Sequence, residues 1–132
     1  MNKLNELGSE QPYFIAEAGV NHNGDLEMAK KLIDTAADAN ASAVKFQTFS
    51  AERLVNETAS TADYQQEQTG IKSQREMLRQ YELSRSDHEE LQSYCESREM
   101  TFLSTPFDTE SVDMLVDIGV PAIKLGSGEL DN

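Results

Sequence analysis

Four short apolar runs alternating with amphipathic helical stretches predict an α/β fold of parallel βαβ units. All four runs end in polar and glycine residues: FIAEAGVNHNG over 14–24, VKFQT over 44–48, FLSTPFD over 102–108 and IKLGSGE over 123–129. In a (β/α)8 TIM barrel every strand delivers functional residues to one mouth, whereas an open doubly wound sheet gathers ligands at one switch point. The first turn, GVNHNG, is not the GxGxxG phosphate fingerprint of the open sheet. The barrel is therefore the expected architecture. A whole barrel needs roughly 250 residues. The 132 residues correspond to its N-terminal half, with unpaired edges on the first and fourth strands.

Each element has a local reason. Residues Met1 to Gln11 read as a mobile lead-in ended by Pro12, and Tyr13 to Ala18 as the first strand. Asp25 is placed to cap a helix whose inner face carries Leu26, Ala29, Leu32, Ile33, Ala36 and Ala37, fading near Asn40. Ala43 to Phe46 is the second strand. Ser50 to Gly70 is polar without a sustained period and reads as a long loop, a length that usually signals function or disorder.

Two capping boxes are expected next, Ser73 with Glu76 and Ser86 with Glu89. The second opens a helix to about Glu99 with Leu91, Tyr94 and Cys95 inward. Thr101 to Ser104 is the third strand, broken by Pro106. Asp108 caps a helix with Val112, Leu115, Val116 and Ile118 inward, and Gly119 closes it. Ala122 to Leu125 is the fourth strand.

Composition narrows the function classes. Apolar content of 38% and charged content of 27% fit a soluble globular domain. A formal charge of −13 argues against nucleic acid and anionic membranes as partners, while leaving room for a small anion held by a few lysines. A single cysteine, Cys95, allows no internal disulfide and suits a reducing, cytoplasmic setting, and no secretory leader is visible.

The mouth of such a half-barrel would gather Glu17, Lys45, Gln47, Thr105, Lys124, Ser127 and Glu129. Two lysines beside hydroxyls and a glycine-rich backbone make an anion site, and two carboxylates supply proton acceptors and donors. This chemistry suits a phosphorylated, carboxylated small molecule. An unpaired lysine within an apolar strand is costly, which favours function for Lys45 and Lys124. Glu17 has the alternative of bracing a loop, and Thr105 that of a turn residue before Pro106. His22 reads as a loop brace and His88 as a helix surface residue; no cluster has metal-ligand spacing. Tyr81 and Tyr94 read as core.

Together, FIAEAGVNHNG, VKFQT, STPFD and IKLGSGE closely resemble the sialic acid synthase (N-acetylneuraminate synthase) family, from about Pro12 to Asn132. Tyr64-Gln65, Ser73-Gln74 and Glu76-Met77-Leu78 are similar to its bacterial nonulosonate branch, which includes legionaminic acid synthases. The resemblance implies a TIM barrel followed by an antifreeze-like domain that reaches across a homodimer. It implies condensation of phosphoenolpyruvate with an N-acylated hexosamine to a nine-carbon 2-keto sugar acid and phosphate. It implies a divalent metal, manganese or magnesium, whose histidine ligands lie in the second half of the barrel.

By motif, Lys45, Thr105, Lys124 and Ser127 would grip phosphoenolpyruvate, Gln47 would help place the substrates, and Phe107 would form an apolar wall. Glu17 would contact the sugar and Glu129 would handle a proton. The stretch from Phe49 to Ile71, with Tyr64, would cover the sugar. Two alternatives stay open. One is a related synthase with a phosphorylated aldose, which needs a second basic cluster such as Arg53, Lys72, Arg75 and Arg79. The other is a truncated chain, inactive without a complementary half.

Overall fold

The computed structural model describes residues 7–58 and 74–131. Three strands form one parallel sheet in the order β1 (Ile15–Gly19), β2 (Ala43–Thr48), β3 (Thr101–Pro106). Ile15 lies opposite Ala43 and Glu17 opposite Lys45; Lys45 in turn faces Leu103, and Gln47 faces Thr105. The β1–β2 register slips between Glu17 and Gly19, so Gly19 pairs with Phe46. A bulge of this kind re-aims side chains at a strand end.

Helix α1 (Leu26–Asp38) connects β1 to β2. Its N-cap is Asp25, whose Oδ1 accepts from the backbone N–H of Glu27 at 2.9 Å and of Met28 at 3.2 Å. Ala29, Ile33 and Ala36 are buried, with Leu26, Leu32 and Ala37 packed beside them. Burying a side chain such as Ile33 contributes about 1.5–3 kcal/mol. Between β1 and α1 the chain turns tightly. Gly24 has φ +74, and a Cβ there would stand 2.1 Å from the carbonyl oxygen of Gln80.

After β2, residues Ala51–Thr58 form helix α2, where the polarity of Ser50 to Gly70 suggests a loop. Two turns with Ala51 and Val55 buried four apart are enough to seat it, but too short for a periodic signal. Residues 74–79 are also helical; Ser73, with its expected capping box, lies outside the described residues. Helix α3 (Arg85–Ser97) is capped by Ser84, not Ser86. Ser84 Oγ accepts from Asp87 N at 3.1 Å, and Asp87 Oδ2 accepts from Ser84 N at 3.0 Å. This frame turns His88, Leu91 and Cys95 inward together.

Strand β3 runs to Pro106, which ends it rather than interrupting it. Helix α4 (Thr109–Asp117) follows, with Asp108 Oδ1 accepting from Ser111 N at 2.7 Å as its cap. Leu115 is buried as expected, but Val116 is 62% exposed, and Ser111 takes an inward place. Gly119, at φ +81, lets the chain leave the helix.

The expected fourth strand is absent from the sheet. Residues 121–126 are extended beside β3, yet one backbone hydrogen bond, Lys124 N to Ser104 O at 3.3 Å, links them to it. An apolar run dictates extended backbone, but a strand also needs a regular ladder. A 3₁₀ turn over Ser127–Glu129 follows.

The helices cover one face of the sheet. There Phe46 stacks on Phe102 at 5.6 Å, and Ile33, Leu91, Cys95 and Leu115 close the core. Alternation places Glu17, Lys45, Gln47, Leu103 and Thr105 on the opposite face, away from the helices. On its outer side α1 is tied to α3 by Tyr94 and Arg98 bonding Asp34, at 2.6 and 2.5 Å, and by Lys30 with Glu90 at 2.7 Å. Tyr94 is therefore a core-edge residue with its hydroxyl bonded outward.

Candidate active site at the strand ends

Lys45 is the hub of the face opposite the helices. Its Nζ lies 2.5 Å from Glu17 Oε2 on β1 and donates to Thr105 Oγ1 on β3 at 3.3 Å. The three residues come from three strands: Glu17 and Lys45 are register partners, and Thr105 lies diagonally, two residues beyond Leu103, the partner of Lys45 on β3. The Lys45 side chain is 17% exposed and that of Glu17 is 52% exposed. Partial burial of the ammonium is tolerable because a carboxylate and a hydroxyl satisfy it.

Gln47 joins through the bulge. A Cβ on Gly19 would stand 3.2 Å from Glu17 Oε1 and 3.9 Å from Gln47 Nε2, so the glycine makes room for both. Gly126 brings the 3₁₀ turn to the same place: a Cβ there would lie 3.9 Å from Thr105 Cγ2 and 4.0 Å from Glu129 Cγ. A cleft of about 310 Å3 runs along this face, with Glu17, Lys45 and Lys124 among its charged lining and Tyr13, Ile15, Leu103 and Ile123 among its apolar lining.

Lys124 shares the cleft but not the burial. It is exposed, and its Nζ donates to the carbonyl of Leu125 at 2.7 Å. The desolvation argument for this lysine therefore does not hold; its place at the cleft is what links it to Lys45. Ser127 is exposed on the 3₁₀ turn. Phe107 packs edge-on against Phe49 at 6.4 Å, forming an aromatic pair just beyond the ends of β2 and β3. Tyr64 lies outside the described residues.

Both histidines belong to the helix side. His22 Nδ1 accepts from Gly24 N at 2.8 Å, bracing the β1–α1 turn as expected, with its ring 6.0 Å from Phe46. Burial, then the neighbouring His88, push its imidazole below the usual range, against Asp87. His88 is not a surface residue. It is fully buried, bonded through Nδ1 to Ser84 O at 2.7 Å and through Nε2 to Thr48 Oγ1 at 2.8 Å. The carbonyl can only accept, so Nδ1 carries the proton and Nε2 accepts from Thr48, which accepts from Ser104 at 2.6 Å. Burial pushes His88 down too, against Ser84 and Asp87. The signal was present in the sequence: His88, Leu91 and Cys95 share helical spacing.

Among the described residues no three His, Cys, Asp or Glu side chains come together as a metal site. Both histidines are buried on the helix side of the sheet, so the described residues do not supply the histidine ligands that the family resemblance places in the second half of the barrel. The second basic cluster fares no better at Arg53, which bonds Asp108 at 3.2 Å and Glu110 at 2.9 Å and so is neutralised. At Asp108 burial opposes ionisation, but the Ser111 bonds and the Arg53 guanidinium outweigh it and hold the carboxyl below its usual range. No helix among the described residues is long and apolar enough to cross a membrane.

The profile of the NeuB family matches residues 32–132. The chain belongs to the NeuB family. It is 47% identical over 134 residues to the N,N'-diacetyllegionaminic acid synthase of Legionella pneumophila, covering 100% of this chain and 38% of that protein. It is 49% identical over 119 residues to the enzyme of the same name from Campylobacter jejuni, covering 89% and 36%. Among solved structures it is similar to the N-acetylneuraminic acid (sialic acid) synthetase of Leptospira borgpetersenii. The TM-score is 0.70 at 33% identity, over 86% of this chain and 35% of that one. The chain thus spans 35–38% of the length of these relatives. Its parallel sheet and helices are those of the N-terminal half of a TIM barrel.

Proposed function

We propose that this NeuB-family chain is the N-terminal part of a synthase that condenses phosphoenolpyruvate with an N-acylated hexosamine. The products are phosphate and a nine-carbon 2-keto sugar acid of the sialic or legionaminic type. The observation that carries this reading is Lys45, bonded to Thr105 and set in the same cleft as Lys124. Two cations and a hydroxyl at a strand-end cleft suit a ligand bearing both phosphate and carboxylate.

In this reading Lys45, Lys124, Thr105 and Ser127 hold phosphoenolpyruvate, and Phe107 walls the apolar side. The double-bond electrons of phosphoenolpyruvate form a bond from its carbon 3 to the aldehyde carbon of the open-chain sugar, whose C=O π bond breaks as its oxygen takes up a proton to become a hydroxyl. Water adds at carbon 2, and the carbon–oxygen bond to phosphate then breaks. Glu17, beside the cleft on β1, contacts the sugar; Gln47 places the substrates; Glu129, on the turn over Thr105, takes a proton from the attacking water. The remaining barrel strands, the antifreeze-like domain and the homodimer contact belong to the longer polypeptide. Neutralised Arg53 favours an acceptor without phosphate, and the legionaminic acid synthase relatives favour a diacetylated bacterial sugar.

The test is phosphate release by the full-length polypeptide supplied with phosphoenolpyruvate, an N-acylated mannosamine and a divalent metal. Lys124→Ala should abolish it. Near-normal release would refute the anion site.

A further inference from the structure

We propose that Glu17 is an internal occupant of the anion site: its carboxylate holds Lys45 while no anion is bound and must yield when one arrives. This rests on the reading of Lys45 as part of a phosphate or carboxylate site. Three observations carry it. The two lysines of the cleft differ in how they are satisfied. Lys45 faces a carboxylate at 2.5 Å, whereas Lys124 donates only to the Leu125 carbonyl and has no carboxylate partner among the described residues. An incoming anion therefore meets one uncompensated cation and one that is already neutralised.

The second observation is the difference in freedom between the partners. With 17% of its side chain exposed and Thr105 as a further anchor, Lys45 stays in place, while Glu17, at 52%, is the partner able to move. The third is the space beside Glu17. Its other oxygen, Oε1, lies where a Cβ on residue 19 would approach to 3.2 Å, and glycine leaves that room open. The carboxylate thus has somewhere to swing, towards Gln47 Nε2, which borders the same space.

A consequence follows for the second substrate. Any acceptor group that bonds Glu17 draws it from Lys45 and strengthens the anion site, and linkage makes the effect reciprocal. Glu17 is then the residue that couples the two substrates, in addition to touching one of them.

Calorimetric titration of the full-length polypeptide with inorganic phosphate, at low ionic strength, tests this. Glu17→Gln keeps the shape of an exposed side chain and removes the competing charge. It should tighten phosphate binding about 3- to 5-fold, the scale of a partly exposed ion pair. Lys45→Ala should weaken binding, and in that background Glu17→Gln should have no further effect, because its partner is gone. Equal tightening in both backgrounds would reduce the role of Glu17 to a general field and overturn the inference. So would unchanged or weaker binding by Glu17→Gln alone, which would make Glu17 an organiser of Lys45. If Lys45→Ala leaves phosphate binding intact, the anion-site reading itself falls, and the inference with it.

Discussion

Substituting alanine for Gly24 should be the most damaging single-methyl change in the β1–α1 region. Two costs add. The backbone there has φ +74, and a side chain in this left-handed region costs about 1–2 kcal/mol. The new Cβ would also stand 2.1 Å from the Gln80 carbonyl oxygen, far inside the 3.0 Å that real Cβ atoms keep. That oxygen belongs to backbone, so the turn and residues 80–81 must part, an overpacking cost of about 1–3 kcal/mol. The expected total is about 2–5 kcal/mol. Gly119→Ala is the matched control: it has φ +81 with nothing within 4 Å of the added methyl, so only the first cost applies. Urea unfolding of both variants, followed by far-UV circular dichroism, gives the difference directly. If Gly24→Ala unfolds no earlier than Gly119→Ala, the turn does not rest on Gln80 as described.

Further outcomes follow from the buried and paired groups. His22 and His88 are held below their unfolded value of 6.5, so the unfolded chain binds protons more readily as pH falls. Their contribution is complete above about pH 6.5 and is lost below it, by up to about 1.4 kcal/mol per histidine and pH unit. Denaturation midpoints at pH 7.5 and 5.5 should differ accordingly, and equal midpoints would contradict the burial of both rings. Arg53→Ala should cost about 1 kcal/mol and raise the Asp108 carboxyl, read by NMR titration, since the guanidinium is partly exposed. The Cys95 thiol, pushed up to about 12 mainly by burial, should resist iodoacetamide at pH 8 in the folded protein and react once the chain is unfolded. Rapid labelling of the native protein would show that α3 opens.

Where one residue pattern dictated one structure, the sequence was enough. Asp25 and α1 follow from a capping carboxylate and a three-four apolar spacing, and Lys45 and Thr105 follow from strand ends that converge in a barrel. Elsewhere several structures satisfied the same pattern. Ser84 and Ser86 each stand three residues before a carboxylate, and the reciprocal capping bonds form at Ser84 with Asp87. Helix α2 has too few buried positions to leave a period. The apolar lining of the cleft leaves only a short signal, Leu103 alternating with Thr105, and Lys45–Glu17 pairing depends on a register that no single strand encodes. The 121–126 segment carries strand composition without strand pairing, since a ladder is a property of two segments.

The bonds of Thr48 with Ser104 and of Lys45 with Thr105 lie on opposite faces of the same pair of strands. A one-residue slip of β3 would exchange the two faces, setting Leu103 or Thr105 where Ser104 meets Thr48. The alignment of β2 and β3 is thus locked from both sides, independently of the segments that join them. Lys45 and Thr105 inherit their separation from that lock. Connecting segments on this scaffold can change length and composition while the spacing of Lys45 and Thr105 stays constant.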